Sequence, residues 1–314
     1  MDSKPVICLM GPTASGKTEV AMRLVDAFPL ELVSVDSALV YRGMNIGTAK
    51  PDAATLDKYP HRLVDIRDPE DSYSVGEFIR DAHREIDAIH RQGRLPLLVG
   101  GTMMYFRSLV QGMAELPGAD RAVRANLDRQ AALRGWPAMH AELAAVDPDA
   151  AVRIHPNDSQ RIQRALEVCR VSDRTLTDWH RSTRTGRGDY RYLPIALIPE
   201  PRAVLHARIA ERLELMLVND FIEEVQVLRR RKCLTSSHAS MRAVGYRQIW
   251  RYLDGEYDAV EMRSRTLVAT RQLAKRQLTW LRSEPGLFAV NPLEVDAFVA
   301  ISAHFEGELA ADKN

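Results

Sequence analysis

The chain has 314 residues, of which 46% are hydrophobic and 27% charged, with a formal net charge of +1. Such proportions describe an ordinary soluble globular protein, one large domain with an insertion or two modest domains, and the near-zero charge excludes a globally basic nucleic-acid binder, leaving only local patches. Three scattered cysteines (Cys8, Cys169 and Cys233), no signal-peptide layout and no membrane-length apolar run exclude a disulfide framework and a cysteine zinc site, and set the expectation of a reduced cytoplasmic compartment with no membrane partner.

Taken in order, Val6–Met10 is an apolar run that reads as a buried strand, and Glu19–Val25 has the apolar spacing of a helix. Between them stands Gly11-Pro12-Thr13-Ala14-Ser15-Gly16-Lys17-Thr18. Strand, glycine-rich turn, Lys-Thr and helix together make G-x-x-x-x-G-K-[ST] a phosphate loop, the motif best known for binding ATP. Loop and helix-start amides converge on an anion, Lys17 adds a full charge, and the Thr18 hydroxyl is placed to ligate Mg²⁺. A di- or triphosphate ligand follows.

Glu31–Val35 reads as a second strand ending in Asp36-Ser37, and His61–Ile66 as a third. Ser74 caps a long helix through Phe78, Ile79, Ala82, Ile86 and Ile89. Leu95–Val99 is a fourth strand, closed by Gly100-Gly101-Thr102 and followed by a helix over Met103–Val110. The alternation predicts an α/β fold, a P-loop-type doubly wound parallel sheet, with ligands beyond the carboxyl ends of the strands. Gly11–Thr18, Asp36-Ser37 and Gly100-Gly101-Thr102 then surround one cleft.

The pattern changes at Leu116-Pro117-Gly118. Helices are expected over 120–133, 136–143 and 158–171, and the segment ends in a basic stretch with Arg181, Arg184, Arg187 and Arg191, read as a mobile loop. Tyr192–Ile198 looks like a return to the sheet, with Pro194 favouring an edge or end position. Helices resume from Arg202 to about Leu281, and residues past Asn291 read as a peripheral tail. The expected organisation is a catalytic core over 1–116, a helical insertion over 117–191, and a core return with C-terminal helices over 192–314.

Asp36, at a strand end beside the phosphate loop, suits a Mg²⁺ ligand or a general base, and equally an Asx-turn closing the strand. Asp65 is the other strand-end carboxylate. The fourth strand ends in glycines where many P-loop NTPases place a metal-holding aspartate, which argues against an ordinary ATPase. Arg208 and Arg212, one helical turn apart, either clamp a diphosphate or form an exposed helix face. Between Arg229 and Arg282 stand thirteen Lys or Arg against four Asp or Glu. With Gln160–Arg164 and the 181–191 arginines, these basic segments around one cleft point to a polyanionic partner.

The motifs resemble the tRNA dimethylallyltransferase (isopentenyltransferase) family. The likeness rests on residues 11–18, on Ser34–Met44 with Gly47-Thr48-Ala49-Lys50-Pro51, and on Pro60-His61-Arg62-Leu63 and Val99–Thr102. It continues through Arg153-Ile154-His155-Pro156-Asn157-Asp158, Ala243–Gln248 and Thr270–Gln277. It implies transfer of a dimethylallyl group from its diphosphate to N6 of the adenosine just 3′ of the anticodon, in tRNAs reading U-initial codons, with Mg²⁺ as cofactor. By the same resemblance Asp36, Thr18 and Arg212 are catalytic, Asp36 as base, while Gly11, Pro12, Thr13, Ala14, Ser15, Gly16, Lys17 and Thr18 hold the diphosphate. The anticodon stem-loop is met by Asp36, Ser37, Ala38 and Leu39, by Thr102 and Arg124, and by Gln160, Arg161, Ile162, Gln163 and Arg164. A further contact comes from Arg242, Ala243, Val244, Gly245, Tyr246 and Arg247. No Cys/His quartet follows residue 282, unlike the zinc-finger-bearing eukaryotic branch, so the bacterial form is implied and a monomer is expected. The rival readings are a small-molecule or nucleotide kinase on the same loop, and a non-enzymatic RNA-binding GTPase-like switch.

Overall fold

The structure, a computed structural model, describes residues 4–114, 116–182 and 189–311. Arg184 and Arg187 of the basic stretch lie outside the described residues. Two compact units are present, Met1–Val110 with Gly188–Asn314, and Gln111–Arg187.

The first unit begins with β1 (Lys4–Met10), α1 (Lys17–Ala27) and β2 (Leu30–Val35). α2 (Ala53–Lys58), β3 (His61–Arg62), α3 (Val75–Arg91), β4 (Leu95–Gly100) and α4 (Met103–Gln111) follow. The second unit contributes α5 (Arg121–Arg134), α6 (Trp136–Val146), α7 (Pro148–Arg153), α8 (Ser159–Ser172) and α9 (Leu176–Arg181). The chain then returns with β5 (Tyr190–Leu197), α10 (Arg202–Val218), α11 (Phe221–Arg229), α12 (Tyr246–Leu253), α13 (Ala259–Leu281), β6 (Phe288–Val290) and α14 (Ala297–Ala311).

All six strands form one parallel sheet in the order β3-β2-β4-β1-β5-β6. The apolar runs of β1, β2 and β4 are the central strands, covered on both faces as parallel strands require. Ser74 caps α3 as its sequence predicts: its hydroxyl accepts from Glu77 N, and the Glu77 carboxylate accepts from Ser74 N. β4 must end in glycine. Gly100 lies opposite Val35, and a Cβ there would stand 2.0 Å from the Val35 carbonyl oxygen.

Three expectations change. The third strand is only His61–Arg62, because Leu63 and Asp65 adopt left-handed backbone conformations that turn the chain out of the sheet. Asp65 then spends its carboxylate on the buried Lys50 ammonium, 2.5 Å away, and is no strand-end metal ligand. β5 is interior, yet β6 pairs only from Ile195 onward, so Pro194 falls where that side of β5 has no neighbour. The stretch beyond Asn291 is no peripheral tail. Ala297, Ile301 and Phe305 of α14 pack into the main core with Leu24, Leu30 and Leu197.

The second unit is a helical cluster around Leu127, Met139, Leu143, Ile162 and Leu166. A carboxylate is built into it. Glu167 is 0% exposed. Its oxygens accept from Arg124 Nε at 2.7 Å, Arg164 Nη1 at 2.7 Å and Asp120 N at 2.9 Å. Burial alone would raise its pKa; these donors outweigh burial and hold the carboxyl below its ordinary range. Asp147, also buried, is held low against the same burial penalty by Thr177 and the Ala150 amide. A depressed folded pKa contributes stability above the unfolded value, and the contribution fades as pH falls through the folded one. Acidification below about pH 4 should therefore loosen this unit first. Glu167→Ala should cost it about 3 kcal/mol at neutral pH. Amide hydrogen exchange across residues 116–182 reads both, and equal protection in variant and parent would refute the assignment.

Candidate active site

α1 starts on Gly16, whose φ of 91° is left-handed, and no side chain caps it. Its first amides therefore face the cleft without an internal acceptor, the arrangement that draws an anion. Lys17 folds back over the loop: Nζ donates to the carbonyls of Gly11 at 2.9 Å and Pro12 at 2.7 Å. Burial pushes the Lys17 ammonium down to about 7; Asp36 pulls it up, and Arg212 pushes it further down. Arg212, on α10, is itself lowered by burial against the pull of Asp36, and its Nη1 lies 3.5 Å from Thr13 Oγ1. Two half-buried cations beside an open helix start make a site short of negative charge. Thr18 is exposed at that start.

Asp36 makes the Asx-turn and also lines the cleft: Oδ1 accepts from Ala38 N at 2.8 Å and Leu39 N at 3.3 Å. Thr102 supports the same segment, since its Oγ1 accepts from Ser37 N at 3.1 Å and its amide donates to Val35 O. Thr13–Thr18, Asp36–Leu39 and Gly100–Thr102 line one open cleft of about 940 Å³. Arg208 lines it too, so Arg208 and Arg212 of α10 both border the cleft.

The opposite wall is the Asn45–Ala49 turn, held by Glu224 of α11. One carboxylate accepts from the amides of Asn45, Ile46 and Gly47 and from the Tyr246 hydroxyl. Burial and then Glu224 push the Tyr246 phenol far up, so it stays a donor. Gly47 packs against the Phe221 ring, where a Cβ would stand 2.1 Å from ring carbons. Gly245, left-handed at φ 92°, crowds the same ring. Beside Arg212 and Thr13 the cleft deepens into a pocket of about 90 Å³, walled by Ile209, Leu213, Met216, Phe221 and Leu273.

Of the residues expected at RNA, Asp36–Leu39, Thr102, Arg242, Ala243, Val244 and Tyr246 share this cleft. Tyr246 is fully buried and Gly245 is buried behind it, so they shape the wall and offer no surface; Arg247 is exposed. On the second unit, Gln160 and Arg161 are exposed. Ile162 corrects the expectation: it is 0% exposed, a core residue of α8. Arg124 and Arg164 are paired with Glu167, and Gln163 donates to Asp128. Sequence reasoning missed Gln277, His61 and Ser34, which line the cleft; Trp280 lines it too, beneath the Arg107 guanidinium. The TRQLAKRQ pattern was the available signal for Gln277, but its charges drew attention from its glutamine. Burial lowers the His61 pKa, and its Nδ1 lies 2.6 Å from Tyr59 O.

Comparison with known proteins bears on this geometry. The chain is similar to the tRNA dimethylallyltransferase of Thiobacillus denitrificans, 54% identical over 305 residues that cover 96% of this chain and 97% of the relative. The fold matches the full-length tRNA isopentenylpyrophosphate transferase of Bacillus halodurans with TM-score 0.72 and 35% identity, over 99% of this chain and 98% of that one. A eukaryotic dimethylallyltransferase solved acting on tRNA shares the fold with TM-score 0.78 at 24% identity, over 96% of this chain and 78% of that one. The sequence model of IPP transferase matches residues 39–284, from the Asx-turn that Asp36 closes to the end of α13. With the loop, the aspartate and the α10 arginines set around one cleft, and likeness running through nearly the whole chain, the protein belongs to the IPP transferase family.

Proposed function

We propose that this cleft transfers a dimethylallyl group from dimethylallyl diphosphate to N6 of the adenosine 3′-adjacent to the anticodon, in tRNAs reading U-initial codons, releasing diphosphate. The observation that carries the reading is the juxtaposition of an uncapped helix start, Lys17 and Arg212 with Asp36 lining the same cleft. The diphosphate lies on the Gly11–Thr18 loop, and the small apolar pocket beside Arg212 takes the branched hydrocarbon. As the allylic C–O bond breaks, negative charge grows on the diphosphate, and Lys17, Arg212 and the loop amides stabilise it. A C–N bond forms at N6 and its proton passes to Asp36, whose turn bonds fix the carboxylate beforehand.

The Thr18 hydroxyl suits Mg²⁺, which takes one or two protein oxygens and fills its shell with phosphate and water. Such an ion would neutralise charge on the leaving group. The adenine must leave the anticodon-loop stack to reach Asp36. On the first unit exposed Arg242 and Arg247, and on the second exposed Arg161 with its neighbour Gln160, are offered to the RNA backbone. The reading includes a cytoplasmic location, where tRNA is found, and a monomer. No helix among the described residues is long and apolar enough to cross a membrane.

Two outcomes test the roles. Asp36→Asn keeps an oxygen for the Ala38 and Leu39 amides and loses the base, so turnover should fall roughly 10²- to 10⁴-fold with donor and tRNA affinity retained. Mass gain on adenosine in single-turnover reactions reads it, and persistent turnover at saturation would exclude Asp36 as base. Burial holds the Lys17 pKa down to about 7, and a bound diphosphate would raise it. Donor binding at pH 8 should therefore take up close to one proton, and affinity should weaken as pH climbs above 7. Calorimetry in buffers of different ionisation enthalpy measures the uptake, and zero uptake would show Lys17 already charged.

A further inference from the structure

The wall formed by β2 and β3 has the opposite character to the phosphate loop. β2 sends Leu32 and Ser34 to the face that α1 covers, since Leu32 packs in the core with Val20, Ala21 and Leu24. On β3, His61 stands beside Leu32. Ser34 and His61 line the cleft together with Asp36 and Thr18. β4, between β1 and β2 in the sheet, adds no polar side chain. It ends in Gly100, where a Cβ would collide with the Val35 carbonyl.

Each polar group on this wall is able to accept. Ser34 is 2% exposed, and its hydroxyl has no hydrogen-bond partner among the described residues. A buried hydroxyl left in that state is destabilising until a water or ligand completes it. His61 Nδ1 lies 2.6 Å from Tyr59 O, and a carbonyl only accepts, so Nδ1 carries the hydrogen. Burial favours the neutral ring, which leaves Nε2 a bare acceptor. Tyr59 is pinned in turn, its hydroxyl donating to Asp26 Oδ2 of α1 at 2.7 Å.

A phosphate calls for donors, and the loop supplies them. A hydrated cation calls for acceptors, because its waters donate. Mg²⁺ gives up water reluctantly and keeps several molecules around one or two protein oxygens. Thr18 offers such an oxygen in the same cleft. The unpartnered Ser34 hydroxyl and the bare His61 nitrogen suit that water shell, and the end of β4 has no room for a side chain that could serve it.

We propose that Ser34 and His61 are positioning residues for Mg²⁺, accepting hydrogen bonds from water molecules of an ion carried by the Thr18 hydroxyl. The proposal rests on the reading of this cleft as a diphosphate site. The two residues stand in for the strand-end aspartate of many P-loop NTPases. Outer partners of this kind contribute roughly 10- to 100-fold in metal affinity.

The test measures pyrophosphate affinity of the full chain by calorimetry, once with saturating Mn²⁺ in place of Mg²⁺ and once with metal removed by a chelator. Ser34→Ala deletes the hydroxyl. His61→Asn keeps a donor for Tyr59 O and loses Nε2. In each variant the strengthening by Mn²⁺ should shrink about tenfold or more, while metal-free pyrophosphate binding stays within about twofold of the parent. Ser34→Ala should also keep its Tm, since the lost hydroxyl had no partner. A merely structural role would lower Tm and weaken both affinities alike, and that result overturns the proposal. Strengthening by Mn²⁺ that is equal in parent and variants overturns it as well. A parent that binds no pyrophosphate at all sinks the functional reading and takes the proposal with it, so the two failures are distinct.

Discussion

The first turn of α1 has more donors than acceptors, and the rest of the cleft answers to that imbalance. A left-handed glycine without a capping side chain leaves the helix start open, where most helices would close it with Ser, Thr or Asp. Lys17 and Arg212 add charge to the same place, both depressed by burial and both partly compensated by Asp36. The protein's own groups leave the site electrostatically incomplete, short of negative charge. Lys17 shows the tension most directly: burial pushes its pKa down while its ammonium donates to two loop carbonyls.

Much of this was readable in the amino acids, for reasons that differ by residue. The phosphate loop and Asp36 could be read because local chemistry and strand order place them: a glycine-rich turn after an apolar strand has few other uses. The α/β architecture followed from alternation of strands and helices. What escaped notice depends on distant partners. β3 stops at Arg62 because Asp65 turns toward Lys50, a pairing no local pattern announces. α14 looked peripheral because its apolar residues only gain meaning against α1 and β5. Gln277 reaches a loop 264 positions away, and nothing in TRQLAKRQ says which residue turns inward.

Arginine count also misled. Arg124 and Arg164 share the buried Glu167, Arg181 pairs with Asp149, and Arg191 pairs with Glu308, so these basic residues are spent within the protein. The basic surface left is therefore smaller than composition suggests.

The Asn45–Ala49 wall carries a lesson for anyone redesigning the enzyme. Glu224 grips that turn through its backbone while Phe221, from the same helix, presses against a glycine with no room for even a methyl group. Turn and helix are therefore a matched pair of castings, and a transplanted wall will seat only if its helix travels with it.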